Sequence, residues 1–141
     1  MKIEWIFLAE GFGTAANGVV TAIGVNQNLI VAPALPITTK RAVLAHLVAE
    51  EGTLANAELG VSAKVLGPTG QVIAAQTAPA TIGSPLWPDL PITFDLFAEF
   101  PLRLADYGTY VVEVEVTRPD GSTAKGHANF YVTKPVPESA S

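Results

Sequence analysis

The strongest constraint on this chain is an alternation of apolar and polar residues that recurs over residues 58–65, 92–99 and 110–117. Successive side chains of a β-strand point to opposite faces of a sheet. A period of two therefore predicts a strand with one buried face and one face in water. In the third segment Val112 and Val114 add β-branched side chains, which favour strands. The pattern predicts a predominantly β protein.

Two turn signals separate predicted strands at strand-length spacing. Residues 67–70 read Gly-Pro-Thr-Gly, and residues 118–121 read Arg-Pro-Asp-Gly. Proline presets φ at the second position of a turn, and the glycine two residues later adopts a positive φ without a steric penalty. Each segment therefore predicts a β-hairpin.

Residues 41–51 are compatible with a helix, because Ala and Leu are abundant there. A strand is favoured, since apolar residues alternate and the acidic end would oppose the helix dipole. Residues 79–91 contain four prolines, which predicts a long irregular crossover. We expect one domain over residues 1–133 and a flexible tail over residues 134–141. Further strands are predicted in four segments: residues 2–9, 19–25, 27–31 and 41–49.

One local motif indicates the kind of sheet protein. Residues 106–110 read Asp-Tyr-Gly-Thr-Tyr and lead directly into the strand predicted at residues 110–117. They resemble the D-x-G-x-Y corner of immunoglobulin-like domains, in which a tyrosine hydroxyl bonds to upstream backbone. The resemblance implies an all-β, immunoglobulin-like antiparallel β-sandwich of about seven to nine strands. It also implies a structural role for four corner residues: Asp106, Tyr107, Gly108 and Tyr110.

A second resemblance involves the N-terminal half of the chain. The residues that carry it are Leu8-Ala9-Glu10, Asn17-Gly18 and Ile23-Gly24. They are similar to a pattern in an uncharacterised family of small bacterial sandwich proteins. In that family the first strand ends in Ala and an acid, then leads through Asn and Gly into an Ile-Gly or Leu-Gly turn. The resemblance implies the same sandwich fold and no particular activity.

Composition excludes several classes of function. The chain has no cysteine, so a disulfide framework, a thiolate nucleophile and a cysteine-based zinc site are excluded. It has 8 Lys and Arg against 13 Asp and Glu. Without a basic run, nucleic acid is not an expected partner. Hydrophobic residues reach 49% and charged residues only 15%, against about 25% charged residues in ordinary domains. We therefore expect part of the apolar surface to face another molecule.

The N-terminal third argues against export and membrane insertion. The apolar run at residues 5–9 is too short for the core of a signal peptide, and Glu4 precedes it. Residues 11–39 carry no charge, but polar residues and prolines interrupt them. A transmembrane helix needs about 20 predominantly apolar residues. We expect a cytoplasmic protein without membrane contact.

Three patterns suggest chemistry, and each has a plainer explanation. Residues 11–16 fit the G-x-G-x-x-A nucleotide fingerprint, but the required following helix and later acidic residue are not indicated. His46 and His127 stand apart from each other and from any metal-ligand spacing, so polar positions on a sheet face are favoured. Glu113 and Glu115 would lie about 7 Å apart on one strand face, where solvation is favoured over a cation site or a glycosidase pair. No catalytic residue, metal or cofactor is predicted.

Two apolar features suggest a contact surface. Trp87 lies in a proline-rich segment, where it can anchor a partner or plug the open end of a sandwich; the plug is favoured. In the first strand Ile6 and Leu8 form an apolar face opposite to Trp5 and Phe7. A strand of a lone sandwich needs only one such face. Ile6, Leu8 and Trp87 are therefore the predicted interface residues, unless a loop of the same chain covers the first two.

The leading functional hypothesis is a non-enzymatic interaction or assembly module that self-associates. The alternative is a domain that binds a small ligand or a carbohydrate through loop aromatics such as Trp87 and Tyr107. An unrecognised enzyme is third. Exposed aromatics beside converging polar groups would favour the alternative, whereas an apolar sheet face would favour assembly.

Overall fold

The computed structural model describes residues 1–14, 20–25, 28–49, 56–83, 87 and 89–137. In this part of the chain every regular element is a β-strand. The nine strands are β1 (Lys2–Thr14), β2 (Val20–Val25), β3 (Leu29–Val31), β4 (Ile37–Ala49), β5 (Glu58–Leu66), β6 (Val72–Thr81), β7 (Ile92–Leu104), β8 (Gly108–Thr117) and β9 (Thr123–Thr133).

The strands form two sheets that pack face to face. The first sheet has the order β2-β1-β4-β7, and the second has the order β3-β9-β8-β5-β6. Neighbouring strands are antiparallel, except that β3 runs parallel to β9. The predicted all-β sandwich is confirmed.

The core lies between the sheets and follows the alternation of the sequence. In β8, Tyr110, Val112, Val114 and Val116 are buried and face inward, whereas Glu113 faces water. Because each inward residue removes apolar surface from water, one such strand contributes several kcal/mol, at about 1.5 to 3 kcal/mol for each large side chain. The period of two in the sequence therefore identifies the inner face of this strand correctly.

Strand β4 resolves the choice between helix and strand at residues 41–49, because its backbone is extended up to Ala49. Val43 and Leu47 belong to the main core, whereas Ala42 and Leu44 are buried in a separate cluster on the opposite face. A strand that is covered on both faces has apolar residues at consecutive positions, which weakens the alternation. Residues 50 and 51 lie outside the described residues.

Both predicted hairpin turns are confirmed. The amide of Gly70 donates to the carbonyl of Gly67 at 2.9 Å, and that of Gly121 donates to Arg118 at 3.0 Å. Gly70 and Gly121 have φ values of 86° and 87°. This is the left-handed region, in which a Cβ atom is strained and glycine is favoured. The turns connect β5 to β6 and β8 to β9.

The predicted crossover begins later than the prolines suggested. Pro79 lies within β6, opposite Gly60 of β5, so the interpretation of residues 79–81 as an irregular segment is wrong. Strand β6 is at the edge of the second sheet. An edge strand tolerates proline because one side of its backbone has no partner strand. Residues 84–86 and 88 lie outside the described residues.

The segment before β8 ties its backbone to tyrosine hydroxyl groups. The hydroxyl of Tyr110 donates to the carbonyl of Asp106 at 2.7 Å and accepts from the Asp106 amide at 3.3 Å. The hydroxyl of Tyr107 donates to the carbonyl of Ala32 at 2.9 Å. Gly108 has φ 135°, and a Cβ atom there would lie 3.1 Å from Pro68. The Tyr110 bonds close the loop between β7 and β8 on itself, and the Tyr107 bond holds this loop against the chain that follows β3.

Candidate interaction surface

The inward and outward faces of β1 around residues 5–8 are the reverse of those expected from its sequence. Leu8 is buried in the main core, and Ile6 packs against that core. Neither is therefore exposed for a partner, which corrects their prediction as interface residues. The register of β1 with β4 shifts between Ile3 and Trp5. This bulge places Ile3 on the same face as Ile6 and sends Trp5 and Phe7 to the outside.

The outward side chains of the first sheet form an apolar surface that we call the outer aromatic face, defined by Trp5, Phe7, Phe12, Leu44 and Phe97. Strand register places Phe7, Leu44 and Phe97 in one row across β1, β4 and β7. Trp5, Phe7 and Phe12 are half-buried, and Phe97 is 42% exposed. The rings cover Ala9 and Ala42, which are fully buried in the same cluster. The sheet therefore carries a second, smaller hydrophobic cluster outside the sandwich.

The rings of the outer aromatic face pack against one another. The Trp5 and Phe7 centroids are 4.3 Å apart with an interplanar angle of 17°. The Phe12 and Phe97 centroids are 4.5 Å apart at 54°. Because Trp5 and Phe7 stack on each other, the ring faces between them are not free to stack on a sugar.

A row of polar groups lies beside these rings. His46 on β4 stacks on Trp5 with centroids 5.0 Å apart, and its Nδ1 lies 2.6 Å from Asp95 Oδ1. Its Nε2 lies 3.8 Å from Glu4 Oε2. Lys40 on β4 and Glu99 on β7 form a second pair, in which Lys40 Nζ lies 3.3 Å from Glu99 Oε2. Within the described residues, no group of three or more His, Cys, Asp or Glu side chains could hold a metal ion.

The outer face of the second sheet has a different character. Its centre carries charges of both signs on β5, β8 and β9, among them Lys64, Glu113 and Glu115. Lys125 pairs with Glu115 at 3.2 Å, and His127 lies opposite Glu113 in the register of β8 and β9. Glu113, Glu115 and His127 thus lie on one mixed-charge surface. The two outer faces of the sandwich are chemically unlike.

Trp87 does not occupy the predicted core position. Its side chain is 64% exposed, which contradicts the favoured interpretation as a plug. Tyr107, the other aromatic of the ligand-binding hypothesis, is half-buried, and its hydroxyl bonds to the backbone of Ala32. The Lys134 ammonium lies 5.3 Å from its ring centroid. Tyr107 is therefore engaged in contacts within the chain, whereas Trp87 is exposed.

The nucleotide fingerprint falls on a strand. Gly11 to Thr14 continue β1, and Gly11 and Gly13 occupy strand positions opposite β2. The fingerprint requires glycines at a turn that opens a helix, so that backbone amides point to a phosphate. Residues 11–14 do not have that geometry. Ala15 and Ala16 lie outside the described residues.

The outer aromatic face and its His46–Asp95 contact have little signal in the sequence. Asp95 lies 49 residues from His46, and only the register between β4 and β7 brings them together. Leu44 and Ala42 could have indicated a second covered face, because β4 is apolar at consecutive positions. The exposure of Phe97 follows from the alternation of β7, in which Phe97 has the same phase as Asp95 and Glu99.

Fold and surfaces define a two-sheet β-sandwich with one aromatic and one charged outer face. No model of a known protein family matches the chain, and no curated protein matches it. Among the described residues there is no helix long and apolar enough to cross a membrane.

Proposed function

We propose that the protein is a non-enzymatic assembly module that self-associates through the outer aromatic face. The observation that carries this proposal is the contrast between the two sheets. One outer face has mixed charges, whereas the other has a row of Phe7, Leu44 and Phe97 beside Trp5. Monomeric proteins rarely expose extended apolar patches, and aromatic side chains are enriched in interfaces.

A second copy of the chain is the partner that fits this surface best. In a two-fold dimer each face meets an identical face, so apolar rows need no complementary charge. The chain has a net charge of −5, which repels a second copy at long range. Apolar contact must outweigh that repulsion. Added salt screens the repulsion, so dimerisation through this face strengthens as the salt concentration rises.

Phe97 offers a clean test, because much of its ring is exposed. Burying the rest of that ring contributes about 1 kcal/mol in each copy. In a two-fold dimer the variant Phe97→Ser therefore loses about 2 kcal/mol, which weakens the dissociation constant about 30-fold. Sedimentation equilibrium over a wide concentration range measures this constant, and thermal unfolding shows that each variant is folded.

Tyr131 provides the matched control. It is an aromatic residue on β9 with 44% exposure, close to that of Phe97, but it belongs to the second sheet. Tyr131→Ser should leave the association constant unchanged. A wild-type mass of one subunit at high micromolar concentration would overturn the proposal. Loss of association in Tyr131→Ser but not in Phe97→Ser would move the interface to the second sheet.

A second candidate function is supported by the exposure of Trp87. An exposed tryptophan in a proline-rich segment can anchor a ligand or a protein. Glycan-array binding that Trp87→Ala abolishes and Phe97→Ser leaves intact would favour this candidate over assembly.

Two finer assignments belong to the same proposal. We assign the sandwich to the immunoglobulin-like type, because Tyr110 bonds to upstream backbone and β3 pairs with β9 beside β8. The lack of cysteine is consistent with a reducing compartment such as the cytoplasm.

A further inference from the structure

A cavity of about 220 Å³ enters the sandwich between the edge strands β6 and β7. It reaches the inner faces of both sheets, where Val43, Ala45 and Val114 are buried. It is distinct from the mixed-charge surface, and it touches the outer aromatic face only at Phe97. The assembly proposed above shares only this residue with the cavity.

Small side chains explain why the cavity exists. Packed sheets are about 10 Å apart, and side chains from both inner faces normally fill that space. Around this cavity the lining includes five alanines: Ala45 and Ala98 from the first sheet, and Ala63, Ala78 and Ala80 from the second. An alanine methyl cannot span the gap that a leucine or phenylalanine fills elsewhere in the core.

The mouth of the cavity carries the polar groups. Gln76 and Thr77 line it from β6, and the Gln76 amide donates to the carbonyl of Glu99 on β7. Asp95 is the one charged residue among the described lining residues, and its carboxylate is bonded to His46. The inner wall is aliphatic. A charged ligand would therefore lose its hydration without gaining a free counter-charge.

From this geometry we infer that the cavity is a binding site for a small, neutral, apolar molecule. An enclosed apolar cavity of about 150 Å³ in another protein binds benzene, whereas this one is open to solvent at its mouth. A volume of about 220 Å³ therefore accommodates a single six-membered ring with one or two substituents. Polar groups at the mouth allow a neutral hydroxyl or amide on the outer end of the ligand.

Toluene and cyclohexane are suitable probes, with benzoate and benzylammonium as charged counterparts of similar size. A ligand that binds the native state raises the melting temperature by mass action. At a free concentration ten times Kd the neutral probes should raise it by about 3 to 5 °C, and the charged probes should not. Absence of a shift with both neutral probes up to their solubility would overturn the inference, as would equal shifts with the charged probes.

Two positions on β6 give a matched pair of variants. Ala78 lines the cavity, whereas Ala75 lies opposite Lys64 on the outer side of the same edge strand. Ala78→Leu should weaken toluene binding at least 10-fold, and Ala75→Leu should bind toluene as the wild type does. Ala63→Leu fills the cavity from β5 and should also abolish the shift. An unchanged response in folded Ala78→Leu and Ala63→Leu would place the probe elsewhere and contradict the site.

Discussion

The hydroxyl of Tyr110 donates a 2.7 Å hydrogen bond to the backbone carbonyl of Asp106, four residues earlier in the chain. The same ring is buried and stacks on Phe130, with centroids 5.0 Å apart. Tyr110 therefore has two structural roles. Its ring fills the core between the sheets, and its hydroxyl fixes the loop that leads into β8.

Two substitutions of Tyr110 should separate the contribution of its ring from that of its hydroxyl. Tyr110→Ala removes a buried ring and should lower the free energy of unfolding by about 3 to 5 kcal/mol. Tyr110→Phe keeps the ring but leaves the Asp106 carbonyl without its donor, so the expected loss is about 1 to 2 kcal/mol. Urea unfolding measures both values. Tyr107→Phe is the control, because it removes a hydroxyl that bonds to the backbone of Ala32 instead. Equal losses of unfolding free energy in Tyr110→Ala and Tyr110→Phe would contradict the role of the ring.

Stability at alkaline pH should also depend on Tyr110. Burial raises the pKa of its hydroxyl above 10.0; the nearby charge of Asp106 acts in the same direction, and the backbone hydrogen bond with Asp106 opposes both. Between the unfolded pKa and the higher folded pKa, the unfolded chain binds fewer protons than the folded chain. The free energy of unfolding therefore falls as pH rises above about 10. Tyr110→Phe should lose less stability between pH 9 and 11, and parallel pH profiles would exclude this contribution.

Trp87 should contribute little to stability. Because its side chain is 64% exposed, Trp87→Ala should change the free energy of unfolding by less than about 0.5 kcal/mol. A core plug would instead cost about 3 to 5 kcal/mol. Iodide should quench the fluorescence of wild-type protein strongly and that of Trp87→Ala only weakly, since Trp5 is half-buried.

Folding should require neither a metal ion nor a nucleotide. Thermal unfolding curves with chelator, zinc, calcium, NAD and ATP should coincide with the curve of the protein alone, because any ligand of the native state raises its stability. A reproducible rise with zinc would direct attention to His46 and Asp95. A rise with NAD or ATP would direct attention to residues 11–14.

The inward face was predictable from the sequence for strands with one face in water. It was not predictable for strands that carry apolar residues on both faces. In β8 charged Glu113 and Glu115 alternate with buried valines, so the inner face is evident. In β1 large apolar residues occupy both faces, and the alternation does not decide which one is inside. The bulge between Ile3 and Trp5 reverses the phase within the strand. A local insertion of this kind leaves no mark in a periodic pattern.

Contacts across the sheet depend on register, which the sequence pattern does not specify. The stacking of His46 on Trp5 needs the pairing of β1 with β4, and the bond to Asp95 needs the pairing of β4 with β7. The cavity depends on which small side chains of the two facing sheets meet, and the sequence pattern does not specify this either. The sequence therefore pointed to Ile6 and Leu8 as contact residues, whereas the exposed face is formed by Trp5, Phe7 and the aromatic residues that register places beside them.

The two Pro-x-Gly turns have a consequence for the order in which the sandwich assembles. They connect adjacent strands of the second sheet, so β5–β6 and β8–β9 can form from neighbouring residues. The β4–β7 pair of the first sheet instead joins distant positions such as His46 and Asp95, which are separated by 49 residues. Closing long loops costs more chain entropy, and local contacts favour fast folding. The hairpins should therefore be structured in the transition state while the β4–β7 pair is still open. Substitutions in the turns then slow refolding, whereas substitutions at Phe97 mainly accelerate unfolding.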